Sequence, residues 1–474
     1  MKRFLLIIAL GAATLSLGAQ DKNKETVKTG LNFGPLPAIG YSSDLGWHYG
    51  ALSDIYWYGD GSTYPEYRWK ANVEVSRYSK GNTVLHTFFD SKYVIPGIRI
   101  SAAVSYFGNN TYNFYGFNGG STLYVPELDR ISTLDPIVNR KNPYNSSTIY
   151  TGGQGFYIMK RDIFRVATCF QGNFGDSHWG WAAGLTYWWI KTGHARNRGL
   201  NPMTSNNPDI SLYDIYVKND IIPEAEKNGG HHLELKAGVV FDTRDHENNP
   251  TKGTNLEVYM FGSPDIISKH NNNYLKLAVH FKQFFTLAPE RLVFGAHLAY
   301  QGLIAGNAPY YMLQSIQSIN MKQINTEGLG STCTLRGTVS NRLMGNGYAW
   351  MNTELRWNFV RFKWIGQNWT LATNPFFDMG MIVQPYRPEQ MENLKNDNSI
   401  VAKVDGKEYK ASEFYLNDAG MLHMSAGIGL HVIMNQNFNI NFEFGKAFFD
   451  GKKAAWANND GAGIGINIGL NYIF

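Results

Sequence analysis

The chain has 12 histidines, 38 carboxylates and two cysteines, Cys169 and Cys333, from which any catalytic or metal site would be drawn. His231 and His232 are adjacent, so in an extended strand only one of them can take a given face. His423 and His431 share a face, but the eight steps between them span about 27 Å of strand. That is too far to share a metal. No G-x-S-x-G and no H-x-x-x-H spacing stands out, and no nucleophile has a base at motif distance. Two cysteines exclude a disulfide-dense scaffold and a multi-cysteine zinc site, and Cys169 and Cys333 could at most form one disulfide. Val404 to Tyr409, V-D-G-K-E-Y, reads as a small hairpin and not a calcium loop. The residues therefore point away from an enzyme, and neither a cofactor nor a metal is expected.

The elements that carry these residues are more informative. The chain has 474 residues, with 43 basic against 38 acidic side chains, a net +5. That excess is too small to mark a nucleic-acid binder. Charged residues make up 17%, against roughly 25% in soluble domains. Aromatics reach 14% and 49 residues are glycine, while the mean hydropathy is −0.30. Past the N-terminus no apolar run approaches the ~20 residues of a spanning helix. Lys2 and Arg3, the apolar stretch Phe4 to Leu17, and small Gly18 and Ala19 read as a secretory signal peptide over 1–19.

Beyond it, apolar and polar residues alternate in steps of two. Ile464, Ile466, Ile468 and Leu470 oppose Gly465, Asn467 and Gly469; Leu275, Leu277, Val279 and Phe281 oppose Lys276, Ala278, His280 and Lys282. That period is a strand with two different environments on its faces. About sixteen such segments follow from the periodicity. Approximate spans are 31–43, 46–59, 66–79, 82–95, 97–108, 155–174, 177–193, 231–243, 253–263, 272–287, 291–306, 347–364, 367–383, 421–434, 437–448 and 462–474. Short turns alternate with the long connections 109–154, 194–230, 307–346 and 384–420. The fold class read from this pattern is an all-β transmembrane antiparallel barrel of sixteen strands, with both ends on the short-turn side. Aromatics such as Trp179, Trp189, Phe438 and Tyr472 are expected to belt it at the membrane–water interfaces.

Three segments carry a resemblance. T-L-R-G-T-V places Leu335, Arg336 and Gly337 before the twelfth strand; P-F-F-D-M-G places Phe376, Asp378 and Gly380 on the thirteenth; F-D-T-R-D-H-E-N-N-P-T-K-G places Asp242, Arg244, Asp245, Pro250 and Gly253 in the turn after the eighth. Together they resemble the bacterial surface antigen superfamily of outer-membrane barrels, the BamA, TamA and two-partner-secretion transporter type. Y-G-F-N-G-G-S-T, Tyr115 to Thr122, is a weaker glycine-rich likeness, and Thr338 stands where the family's loop motif has an aromatic. Gly469, Tyr472 and Phe474 look like the C-terminal assembly signal of such barrels.

The resemblance implies a barrel-only relative: residues 20–30 as a short periplasmic segment and 31–474 as the barrel, without the family's periplasmic repeats. It implies that the external loop between strands eleven and twelve folds inward, with Arg336 meeting Asp378 and Glu354 as second acceptor. It implies a gated narrow pore, or translocation or insertion of protein or lipid at the outer membrane. The alternative is an anchor that displays external loops to a partner. Expected partners are outer-membrane lipid, the assembly machinery during biogenesis, and other envelope proteins or a second copy of the chain, with no nucleic acid. In the joint between first and last strands, Pro35 and Pro37 lack the N–H a ladder needs, so short, weak pairing is expected there.

Overall fold

Alternation in the sequence becomes alternation in exposure. Along Tyr274–Ala288, Leu275 and Phe281 are exposed while Tyr274, Lys276, Ala278 and His280 are buried. An exposed apolar face and a buried polar one is inverted relative to a soluble sheet, and it suits a wall between lipid and a polar interior.

A computed structural model describes residues 27–119, 123, 125, 128, 156–195, 211–319, 327–330, 334–449 and 464–470, with short gaps at 43–44, 64–65, 248, 265, 268–271, 365–366, 405–406, 416–418 and 435–437. The strands are β1 (Leu31–Ser42), β2 (Gly46–Trp57), β3 (Trp69–Tyr78), β4 (Thr83–Ile95), β5 (Ile98–Asn113), β6 (Ile158–Asn173), β7 (Trp179–His194), β8 (Gly229–Asp242) and β9 (Gly253–Ser263). Then come β10 (Tyr274–Ala288), β11 (Leu292–Gly306), β12 (Gly347–Trp364), β13 (Gln367–Gln384), β14 (Ile400–Val404), β15 (Lys407–Lys410), β16 (His423–Met434), β17 (Phe438–Phe449) and β18 (Gly465–Leu470). Sixteen of them close into one antiparallel barrel in chain order; β14 and β15 form a separate hairpin, as the V-D-G-K-E-Y stretch leads one to expect.

Register shifts interrupt the ladder in several strands, β5 and β12 among them. β5 runs on to Asn113, past the expected end at 108. The N-N-T-Y-N stretch has no period of two, yet Tyr112 and Asn113 pair with Met159 and Ile158 after a register shift. In β12 a shift between Asn358 and Val360 lets Val360, Phe362 and Trp364 pair with Leu371, Trp369 and Gln367. A bulge of this kind re-aims every later side chain. At the joint, two described pairs link β1 to β18, Tyr41 with Ile468 and Ser42 with Asn467, against twelve between β1 and β2.

Aromatics gather at the short-turn ends: Trp57 over Trp69 at 6.5 Å, Trp179 against Phe241 at 5.1 Å and Phe362 over Trp369 at 6.5 Å. Trp189 lies toward the other rim, stacked on His231. The Phe438 side chain and Tyr472 are outside the described residues. Cys169 is a buried free thiol, and Cys333 lies outside the described residues.

At the long-loop end, four connections share one apolar core. Phe114, Phe117, Tyr157, Tyr216, Tyr310 and Phe414 belong to it, with helices α1 (Leu212–Lys218) and α2 (Pro388–Lys395). α1 carries a full capping box, Ser211 with Asp214. Lys218 and Asn219 reach Asp397 at 3.0 Å each and so tie two connections together. The glycine-rich element joins the same core: Asn118 Nδ2 donates to Tyr386 O at 2.6 Å, and Arg342 Nη1 donates to Gly119 O at 3.3 Å. Glu226 accepts from the Tyr310 N–H at 3.1 Å; burial pushes its carboxyl up to about 6, which that bond offsets only in part.

Candidate functional site

The site is built around one guanidinium. Arg336 sits in the connection between β11 and β12 and is 2% exposed. Its Nε and Nη2 donate to Asp378 Oδ2 and Oδ1 at 2.9 and 2.8 Å, and its own backbone N–H adds a third bond to Oδ2 at 3.0 Å. Nη1 donates to Glu354 Oε2 at 2.9 Å and to Glu443 Oε1 at 3.3 Å. Its Cζ lies over the Phe376 ring, 3.7 Å from the ring centre. A planar fork of five donors fits this arrangement, and an ammonium would not.

Each residue of the surrounding segments has a local reason. On β13 the period of two puts Phe376 and Asp378 on one face, stacking and chelating the same guanidinium. Gly380 continues that face, and a Cβ there would press within 3.2 Å of Leu329 and Leu335. Gly337 has φ +82°, and a Cβ on it would run into the backbone of Gly445. Gly465 approaches it too, since a Cβ on Gly465 would come 2.9 Å from Gly337 Cα. The tip of the connection therefore rests, backbone on backbone, against β17 and β18. Thr338 is small enough to be buried beside it, its N–H bonded to Leu335 O at 3.1 Å.

Glu354 is shared. Its Oε1 accepts from Arg356 Nε at 2.7 Å, and its Oε2 also accepts from Asn374 Nδ2 at 2.9 Å. Asn352 Nδ2 donates to Thr334 O at 2.5 Å. Further along the same connection, Ser315 to Ile319 contact the buried faces of β8 to β11. Gln301 Nε2 donates to Ser315 O at 2.7 Å, Lys236 Nζ donates to Ser318 O at 2.7 Å, and the Ile319 N–H donates to Glu257 Oε2 at 3.1 Å. Tyr259 bonds the Gln317 carbonyl.

The structure thus brings Arg336, Gly337, Glu354, Phe376, Asp378 and Gly380 together. Sequence reasoning missed Glu443 as an acceptor and the Gly445–Gly465 seat. Glu443 alternates with Phe442 and Phe444, which puts it on the polar face of its strand, and that is the signal that could find it.

The turn residues form a second group. Asp245 Oδ1 accepts from Thr251 N at 2.8 Å and Lys252 N at 3.3 Å. Asp242 accepts from Arg244 Nε and Nη2 at 2.9 and 2.6 Å. Gly253 has φ +105°, which suits glycine, and Pro250 is buried. Of the C-terminal signal, Gly469 lies in β18; Tyr472 and Phe474 are outside the described residues. His232 is buried and His231 exposed, and His423 and His431 are both buried. Among the described residues no group of three or more His, Cys, Asp or Glu is placed to hold a metal.

Comparison with known proteins gives the following. A family model described as the Omp85 superfamily domain matches residues 69–474. No curated protein matches. Among solved structures, BamA from Haemophilus ducreyi lacking POTRA domains 1–3 is similar at 14% identity and TM-score 0.51, covering 94% of this chain and 70% of that one. CdiB from Escherichia coli is similar at 9% identity and TM-score 0.51, covering 94% of this chain and 63% of that one. At these identities the likeness concerns the fold.

Proposed function

This chain belongs to the Omp85 superfamily, and from that premise we propose that it is an outer-membrane barrel whose narrow lumen is gated by residues 307–346 and which moves or inserts protein or lipid at the outer membrane. The observation that carries the reading is the buried Arg336 clamp, whose acceptors come from β12, β13 and β17. With Ser315 to Ile319 bonded to β8–β11, it supports an external loop folded inward and locked by Arg336 and Asp378. Such a loop obstructs the water path, so conductance is small until it moves.

The β1–β18 joint, with two pairs among the described residues, supports lateral opening toward lipid. Residues 1–19 are the proposed signal peptide, 20–30 the periplasmic segment, and Gly469, Tyr472 and Phe474 the contact with the assembly machinery. Other envelope proteins or a second copy of the chain are proposed partners. The turn residues Asp242, Arg244, Asp245, Pro250 and Gly253 are proposed to shape the periplasmic mouth.

A second reading draws on the shared apolar core of the four long connections: the barrel anchors a folded external surface that binds a partner. Planar-bilayer recording separates the two. Small stepwise currents that grow when 307–346 is deleted support the gated pore. A silent bilayer with both proteins refutes it and leaves the anchor.

A further inference from the structure

The β8–β9 turn, residues 243–252, leaves its own strands and contacts two distant parts of the wall. On one side Glu247 Oε1 and Oε2 accept from Arg99 Nη1 on β5 at 3.1 and 3.2 Å. Arg99 also grips Asp90 of β4 through Nε and Nη2 at 2.7 and 3.1 Å. Asp90, buried, takes Ser101 Oγ at 2.9 Å and Tyr67 OH at 2.7 Å as well. On the other side the Pro250 carbonyl accepts from Arg356 Nη1 of β12 at 3.4 Å. β5 and β12 are seven steps apart in a ring of sixteen. Points seven steps apart are close to diametrically opposed. A turn that touches both lies across the short-turn mouth.

Arg356 is also a neighbour of the clamp. Its Nε holds Glu354 Oε1 while Arg336 Nη1 holds Glu354 Oε2. Two runs of polar contacts therefore meet in this turn: Asp90, Arg99 and Glu247 on one side, and Pro250, Arg356, Glu354, Arg336 and Asp378 on the other. We propose that the β8–β9 turn is a latch across the periplasmic mouth, coupled through Arg356 to the external loop, so that an event at the turn changes the hold on residues 307–346. The coupling rests on reading that segment as inward-folded; the latch does not.

The physical asymmetry favours the turn as the input. Arg99 and Glu247 side chains are 22% and 42% exposed, whereas Arg336 and Asp378 are 2% and 0% exposed. An exposed pair is cheap to break and is screened by salt; a buried one is neither. The turn can thus respond to the periplasm while the clamp holds the state. Cys169, four residues from the short-turn end of β6 and packed in one cluster with Ile319, is a built-in reporter.

The test uses the full chain with Cys333→Ser, leaving Cys169 as the sole thiol, in detergent, with barrel integrity read from heat-modifiable gel mobility. A small charged methanethiosulfonate labels Cys169, and protease reports on 307–346. Glu247→Gln should raise the labelling rate about tenfold; Arg99→Gln, which also strips buried Asp90 of its cation, should raise it at least as much, and the double variant no further than Arg99→Gln alone. Glu247→Gln should also speed cleavage within 307–346, and this added effect should vanish in an Arg356→Met background. Unchanged labelling in both single variants overturns the latch. Faster labelling with unchanged cleavage, or cleavage that still responds without Arg356, overturns the coupling. Failure of the inward-loop reading is seen separately, as Arg336 variants that cleave like the parent.

Discussion

Arg336→Ala is the sharpest perturbation available. It removes the fork that holds Asp378 bidentately and reaches Glu354 and Glu443. What remains is unequal. Glu354 keeps Arg356 at 2.7 Å and Asn374 at 2.9 Å; Asp378 keeps the residue-336 backbone N–H. Three carboxylates are then left close together with their common cation gone. Breaking one partner out of a buried pair costs about 3–5 kcal/mol. At about 1.4 kcal/mol per factor of ten, the fraction of molecules with the loop released should rise by a factor of roughly 10² to 4 × 10³.

Limited proteolysis of residues 307–346 in detergent-solubilised barrel reads that fraction directly, provided opening is fast against cleavage. Asp378→Asn keeps shape and one acceptor and should rise less. Arg336→Lys should behave almost like Arg336→Ala, because an ammonium cannot make the fork. The Arg336→Ala, Asp378→Ala double variant should fall well short of the sum of the two single effects. Strict additivity, or an Arg336→Ala cleavage rate within twofold of the parent, would falsify the clamp.

Gly337→Ala should release the same loop, since a Cβ at φ +82° meets the Gly445 backbone; cleavage as slow as the parent's would show that the tip is not seated there. Glu226→Gln tests the outer core. A carboxyl raised to about 6 from 4.5 carries no penalty below pH 4.5, a growing one as pH rises through 6, and the full penalty above that. Removing the charge should stabilise the cap at pH 8 by about 2 kcal/mol and do nothing at pH 4. Equal melting shifts at both values refute the assignment. Tyr41→Cys with Ile468→Cys should cross-link under mild oxidation, because directly opposed residues of an antiparallel pair lie about 4.5–5.5 Å apart at Cα; no cross-link would mean a different register at the joint.

The sequence by itself determined the wall. Each strand lies between lipid and a polar interior, so one face must be apolar and the other need not be. That demand acts on neighbouring residues and leaves a local trace, the period of two. Strand number and the ends of most strands followed from it. Where β12 takes a bulge after Asn358, the same local trace shifts phase.

Only the tertiary structure decided what meets in the interior. Glu443 joins Arg336 from 107 residues away, and Arg99 meets Glu247 from 148. Ring closure sets these separations, and no local pattern encodes which strands end up opposite. The Gly337 seat on Gly445 and Gly465 was hidden for a related reason: glycine serves turns, bulges and close approaches alike, and only the packed backbone tells which. The long connections left the least trace. Their aromatics bury against one another without a period, because an irregular backbone aims each side chain separately, so their common core exists only in three dimensions.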